Sequence, residues 1–179
     1  MIVKNIELEK GQSEELRELV LIGEDRNLDI GLQVYIPEGA RLQIWKLVVR
    51  ECFVNLVKKG DGELIILEAD FAKFGGDGFN IRGSNVRIGK LRVRESTPTR
   101  PYEEYHVDAV GQAYALDDDG EPDPDGLIEN IVIDELDVDV SGEKTQGLML
   151  SGACEYRGIS IGADKYKVLL GGYPFHFVS

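Results

Sequence analysis

The residues best suited to chemistry in this 179-residue sequence are two aspartates, a glutamine and a histidine. Three short segments share the order polar, small, apolar: DGF from Asp77, DAV from Asp108 and QGL from Gln146. If they occupy equivalent positions on stacked strands about 4.8 Å apart, their first residues form a column, with His106 beside Asp108. Neighbouring carboxylates raise each other's proton affinity, as acid/base sites exploit, so Asp77 and Asp108 form a candidate catalytic pair that His106 assists. The alternative role is structural, because stacked Asp and Gln side chains at bends satisfy backbone N–H groups.

A second cluster is the acidic segment ALDDDGEPDPDG. Carboxylates suit calcium, and Asp119, Asp123 and Asp125 are the candidate ligands. An EF-hand loop beginning at Glu121 would have Val132 at its twelfth position, and two prolines interrupt the segment, so it is not an EF-hand loop. A solvated acidic loop is the simpler interpretation. Calcium is the one cofactor that the sequence suggests, and no other is expected.

Contacts to a sugar are a further hypothesis for the same part of the chain. Tyr105 and Tyr114 have rings that stack on sugar rings, although most such aromatics are core or corner residues. Arg100 lies in the stiff stretch TPTRP, where it could meet an acidic sugar or a neighbouring acidic loop. Gln146, the third residue of the aligned polar column, is a further candidate for binding substrate.

An internal repeat indicates how these residues are positioned. The segments RLQIWKLVVREC, NVRIGKLRVRES and NIVIDELDVDVS share the pattern I-x-x-L-x-V. The first two copies begin at Ile44 and Ile88, and GELIILEADF places Ile66, Ala69 and Phe71 at the same offsets halfway between them. The period is therefore 22 residues, the length of one turn of a β-solenoid.

A second strand is expected after each copy, over 53–57, 78–81, 107–110 and 147–150, and a fifth turn from YRGISIG through YKVLL. Each coil then consists of strand, bend and strand, with branched apolar residues inside and charges outside. A βαβ sheet would need helices of about ten residues between strands, and these connections are too short and too rich in Gly and Asn. The sequence predicts an all-β fold, a short right-handed parallel β-helix of about five coils.

The ends of the chain are predicted to close this solenoid. The segment Ser13 to Leu21 is a candidate capping helix, with Ser13 as its N-cap and Glu14 and Glu15 in the first turn. The aromatic tail GGYPFHFVS suits a cap or a subunit contact. The expected organisation is one domain: a cap with first strands over 1–40, the β-helix over 41–170 and the tail over 171–179.

Composition excludes several classes of function. The formal net charge of −13, from 20 basic and 33 acidic residues, argues against nucleic-acid binding. No apolar run approaches the roughly 18 residues that span a bilayer, and MIVKNIELEKGQ reaches charge too early for a signal peptide. Cys52 and Cys154 lack the spacing of a zinc or redox site, so we expect two buried apolar side chains. Soluble production in the cytoplasm is expected.

The strand from Tyr105 to Val110, followed by Gln112, resembles the H-x-D-G-[IV]-Q motif of pectate-lyase-like β-helices, including many bacteriophage virion and tail-spike proteins. The flanking GDGFNIRGSNVRI and QGLMLSGA resemble the neighbouring coils of phage members, so the likeness spans 62–161. It adds Gln112 to the candidate substrate-binding residues. The chain departs from this motif at two points: Ala109 replaces the usual glycine, and Gly111 intervenes before Gln112.

Two classes of function follow. The resemblance implies a phage virion-associated structural protein, in the tail or on the capsid surface, that provides a rigid attachment or glycan-binding surface. Its expected partners are itself, preferably as a trimer, other virion proteins and a host surface glycan. The alternative is a carbohydrate-active hydrolase or lyase. The structural reading is preferred because the coil stack is short and the aspartate pairs and arginine pattern of the catalytic families are absent from the sequence.

Overall fold

A computed structural model describes residues 1–95, 107–113, 115–117, 119–121, 123, 126–138, 145–150 and 155–161. For residues 107–110, 112–113, 138, 145–150 and 155–161 it describes the backbone alone. Along these residues the chain forms twelve β-strands in two six-stranded sheets.

Successive strands alternate between the sheets. Sheet A contains β1 (Ile2–Glu7), β3 (Ile30–Tyr35), β5 (Val54–Lys59), β7 (Asp77–Arg82), β9 (Val107–Ala113) and β11 (Thr145–Leu150). Sheet B contains β2 (Ser13–Ile22), β4 (Arg41–Arg50), β6 (Glu63–Ala72), β8 (Val86–Arg94), β10 (Leu127–Val138) and β12 (Glu155–Ile161). Every pairing is parallel and joins strands one coil apart. The chain is a β-solenoid, and its six strands per sheet agree roughly with the predicted number of about five coils.

The predicted repeat is the register of sheet B. Ile44 lies opposite Ile66, Ile66 opposite Ile88, and Ile88 opposite Ile133. None of the four exposes any surface. Because burial of one isoleucine contributes roughly 2 kcal/mol, this column and its neighbours supply the driving force for stacking the coils. The 22-residue period is confirmed for β4, β6 and β8.

The three-residue step between Ile44 and Leu47 reflects a kink in the strand. Inward positions normally recur every second residue. In β4, Trp45 and Lys46 both face outward, and β6 and β8 interrupt their alternation at the equivalent two positions. A stack of kinks therefore runs along sheet B and shifts its apolar pattern by one residue.

The predicted helix from Ser13 to Leu21 is wrong, because this segment is the strand β2. Its apolar residues continue the columns of sheet B: Leu16, Leu19 and Leu21 lie opposite Ile44, Leu47 and Val49. A step of three residues is common to a helix and to this kinked strand, and pairing with β4 selects the strand. No helix among the described residues is long and apolar enough to cross a membrane.

The last described coil agrees with its prediction. The segment YRGISI lies in β12, which pairs with β10 so that Ile159 is opposite Ile131. YKVLL, Cys154 and the aromatic tail over 171–179 lie outside the described residues. Cys52 is buried, as expected, and burial raises the pKa of its thiol to about 11.

Candidate functional site

A cleft of about 540 Å³ lies where β3, β5 and β7 end. Tyr35, Lys59 and Arg82 line it, and they stack in register, with Tyr35 opposite Lys59 and Lys59 opposite Arg82. We call these three residues the cleft column. Its volume falls in the range of small-molecule sites, about 300–1,000 Å³.

Two glycines allow the coils to meet closely below the cleft column. Gly60 has a φ of 79°, in the left-handed region that suits glycine. At Gly83, an added Cβ would lie 2.1 Å from the carbonyl oxygen of Gly60, which no side chain tolerates. Both residues line the cleft, so part of its floor is bare backbone.

The acidic loop also lines the cleft, through residues that include Asp117, Asp119 and Asp123. Asp117 shapes the loop, because its Oδ1 accepts hydrogen bonds from the N–H groups of Asp119 at 3.0 Å and Glu121 at 2.9 Å. The N–H of Asp123 donates to the carbonyl of Ala115 at 3.0 Å and closes the loop. Asp119 remains exposed at the cleft.

The cations of the cleft column differ in their surroundings. Lys59 is half-buried and forms no ion pair with any residue of the described part of the chain. Arg82 is buried, and its charge acts on Asp77. Nearby Asp61 uses its Oδ1 to accept the N–H of Ser84 at 3.0 Å. Lys59 is therefore the cation best placed to bind a ligand.

Lys58, next along the chain, points into the solenoid and exposes none of its surface. It occupies the inward column between Val34 and Ile81. Its Nζ donates to the carbonyl oxygens of Gly60 and Ser84. Burial lowers the pKa of Lys58 to about 7, against a smaller opposing effect from the charge of Asp61. This lysine ties together two corners beneath the cleft.

The predicted column of polar residues is present in sheet A. Asp77 lies opposite Asp108, and Asp108 lies opposite Gln146. Asp77 is 4% exposed, and burial raises its pKa to about 6, while a hydrogen bond with Asn80 and the charge of Arg82 oppose the rise. The register thus brings the two predicted carboxylates to adjacent strands, and Asp77 has the proton affinity of an acid/base group.

The other predicted site residues divide into two groups. Gln112 and Asp108 lie in β9, and Gln146 lies in β11; the structure describes the backbone of all three. Arg100, Tyr105, His106, Tyr114 and Asp125 lie outside the described residues. Roles for these residues stay predictions.

The calcium hypothesis rests on Asp119, Asp123 and Asp125. The first two line the cleft wall, and Asp125 lies outside the described residues. Among the residues that the structure does describe, no three His, Cys, Asp or Glu side chains are grouped to hold a metal ion. Oδ1 of neighbouring Asp117 is used within the loop itself.

The cleft column was missed from sequence, although a signal for part of it exists. Lys59-Gly60 and Arg82-Gly83 repeat a basic residue followed by glycine 23 positions apart, one coil of sheet A. Tyr35 carries no such signal, because it is not basic and Ile36 rather than glycine follows it.

Comparisons of this chain with protein-family models, with curated proteins and with solved structures find no match.

Proposed function

We propose that this chain is a rigid β-solenoid that binds a saccharide in the cleft beside β3, β5 and β7. The observation that carries the proposal is the cleft column: an exposed aromatic ring and two cations stacked in register along an opening of about 540 Å³. A ring stacks on the apolar face of a sugar, while charged groups bind its hydroxyls.

The cleft offers both donors and acceptors. Lys59 provides a donor that no described ion pair occupies, and Asp119 provides an exposed acceptor in the same cleft. Sugar hydroxyls donate and accept hydrogen bonds, so a ligand of this class can use both kinds of group at once. Tyr35 is 47% exposed, which leaves part of its ring open to a ligand.

The proposed setting is a bacteriophage virion. It is supported by the resemblance of residues 62–161 to coils of phage β-helices and by a stack of apolar columns that makes the coil rigid. In this setting the solenoid is an attachment component, and the glycan belongs to the host surface. The expected binding partner is a bacterial capsule or lipopolysaccharide fragment.

A glycan microarray followed by calorimetry tests the proposal. Lys59→Ala and Tyr35→Ala should each weaken binding to the best glycan by tenfold or more. Trp45→Ala is the matched control, since Trp45 is a comparably exposed aromatic on sheet B, at 49%. Absence of glycan binding, or equal losses in all three variants, would contradict the proposal.

A second candidate function, polysaccharide cleavage, is favoured by one observation. The pKa of Asp77 is raised to about 6, and Asp108 occupies the adjacent register position. Such a pair suits general acid and base roles near neutral pH. The 4% exposure of Asp77 counts against direct contact with a long polymer, so we rank this function second.

Release of reducing sugars over a panel of capsule, lipopolysaccharide and peptidoglycan substrates tests this second function. Turnover that disappears in Asp77→Asn and Asp108→Asn, with melting temperature retained, would establish an enzyme. Asp70→Asn, an exchange on the outer face of sheet B, is the control and should leave turnover intact. If no substrate in the panel releases reducing sugar, cleavage is excluded as the function and saccharide binding stays the proposal.

A further inference from the structure

Among the described residues, β2 is the terminal strand of sheet B. It pairs with β4, and no strand among the described residues pairs with its other edge. Near this edge Val20 and Ile22 are 55% and 62% exposed, and Leu16 and Leu19 are only partly buried against the core. Open edges pair readily with other strands unless they are protected.

The facing pattern of β2 is symmetrical about its centre. By register with β4, the inward positions are Glu14, Leu16, Leu19 and Leu21, and the remaining six positions face outward. The kink places Arg17 and Glu18 together on the outside, midway along the ten residues of the strand. Read in either direction, the order of inward and outward positions is the same.

This symmetry matters because the direction of backbone N–H and C=O groups alternates together with the facing of the side chains. A strand with a symmetrical pattern can pair with an antiparallel copy of itself so that both side chains and hydrogen-bonding groups match. The kink must lie opposite the kink, which leaves a single register. In that register Arg17 faces the partner's Glu18, and Leu16 faces the partner's Leu19.

We propose that two copies of this chain associate end to end through β2, about a twofold axis that passes between Arg17 and Glu18. The contact is isologous, so each residue pair occurs twice. It joins the two copies of sheet B into one continuous sheet and completes the burial of Leu16 and Leu19. It differs from the threefold assembly that the resemblance to phage proteins implies.

Charge complementarity indicates that the strand that pairs with the edge of β2 is the β2 strand of a second copy. Along the outer face of sheet B, Glu18 pairs with Lys46 at 2.7 Å, and the signs alternate onward to Glu68. The partner's Arg17 would stand next to Glu18 on the other side and continue the alternation across the axis. Opposite charges directly across paired strands are favourable.

Glu14 is the one charged inward position of β2. It lies near the beginning of the strand and is half-buried, so it falls at the rim of the contact rather than at its centre. In the symmetrical register Glu14 faces the partner's Leu21, once at each end of the contact, where its carboxylate can stay in water.

Light scattering and sedimentation of the purified chain test the proposal by charge exchange. The wild type should be a dimer, and Arg17→Glu should weaken the dimer at least tenfold, because the new carboxylate would face the partner's Glu18. Glu18→Arg should act likewise. The double variant R17E/E18R restores opposite charges across the axis and should recover the dimer.

Circular dichroism and the melting temperature show whether each variant is folded, so that loss of the dimer is not confused with loss of folding. The double variant carries both exchanges, so its recovery separates a broken contact from a damaged strand. A wild-type monomer or trimer would overturn the proposal, and so would a dimer that neither single variant weakens. A folded double variant that stays monomeric would overturn it as well.

Discussion

On the outer face of sheet B, charges of opposite sign alternate from strand to strand, whereas the cleft column of sheet A places two cations on neighbouring strands. The alternating column consists of Glu18, Lys46, Glu68, Lys90 and Glu135. In sheet A, Lys59 lies directly opposite Arg82. Like charges at this separation destabilise a sheet, so the pair in sheet A has a cost that sheet B avoids.

The difference indicates which face has a task beyond folding. In sheet B, Lys46 pairs with Glu18 and Lys90 pairs with Glu135, so its charges satisfy one another and favour one register. The hydrogen bond and charge of Glu18 raise the pKa of Lys46. In sheet A, the cations line a cleft that the acidic loop also lines. Charged side chains that line a cleft are available to bind a ligand.

The largest expected effect concerns Lys58, the buried lysine beneath sheet A. Its pKa is lowered from 10.5 to about 7, a change worth roughly 5 kcal/mol. Between these pH values the unfolded chain binds the extra proton, so the free energy of unfolding should rise as pH increases from 7 to 10.5. Urea unfolding at pH 6.5 and 9.5 measures this rise.

Lys58→Met should abolish most of that rise, and Lys59→Met, its matched control in the cleft, should retain it. Below pH 7 Lys58 is charged in both states, so the full cost of its burial is present there. If the free energy of unfolding depends on pH equally in the wild type and in Lys58→Met, burial of Lys58 does not lower its pKa, and this difference between the two sheets is contradicted.

The next effect tests the close stacking that brings Lys59 beside Arg82. Gly83→Ala should lower the free energy of unfolding by about 3 kcal/mol, because its Cβ would collide with the backbone of Gly60. Gly39→Ala is the control, with a positive φ of 79° but no atom within 4 Å of its Cβ, and should cost about 1–2 kcal/mol. Denaturant titration compares the two; equal losses would contradict the stacked floor.

Asp77 should produce a dependence of opposite sign at lower pH. Its pKa is raised from 3.8 to about 6, so the folded chain binds the extra proton between these values. Stability should therefore fall by up to roughly 3 kcal/mol as pH increases from 4 to 6. Asp77→Asn should remove this fall in thermal melts over the same range; a variant that keeps it would place the responsible group elsewhere.

The smallest effect concerns the alternating column of sheet B. Lys90→Glu places three carboxylates on consecutive strands, with Glu68 and Glu135 on either side. We expect a loss of about 1 kcal/mol at low salt that shrinks at high salt, because these side chains are partly exposed. Urea titrations at two salt concentrations measure it, and a loss that is independent of salt would show that the column does not act through charge.

The coil architecture could be predicted because each coil carries its own apolar signature. Ile44, Ile66 and Ile88 recur with the period of the stack, and contacts between neighbouring coils are all that the pattern must encode. The segment from Ser13 was mistaken for a helix because Leu16 and Leu19 have the three-residue step of a helix. Alignment of this segment with the repeat would have identified the strand.

The site was predictable only in part. The alignment of Asp77 with Asp108 and Gln146 follows from the repeated polar, small, apolar order, and the register confirms it. In the cleft column, Lys59 and Arg82 share a basic residue followed by glycine, but Tyr35 has no repeated signal, so no motif identifies all three. Lys58 and Lys59 are identical in type and adjacent in sequence, and only the alternation of the strand sends one inward and the other to the cleft.

The most direct test of the saccharide-binding cleft is to locate the contact on the folded chain by NMR. Backbone amide shifts of the isotope-labelled protein would be followed during titration with the glycan that ranks first on the array. We predict that the largest changes fall on Lys59, Gly60 and Gly83, and that amides of Trp45 and Lys46 on sheet B stay unchanged. Changes confined to sheet B, or spread evenly over both faces, would contradict the assignment of the cleft as the binding site.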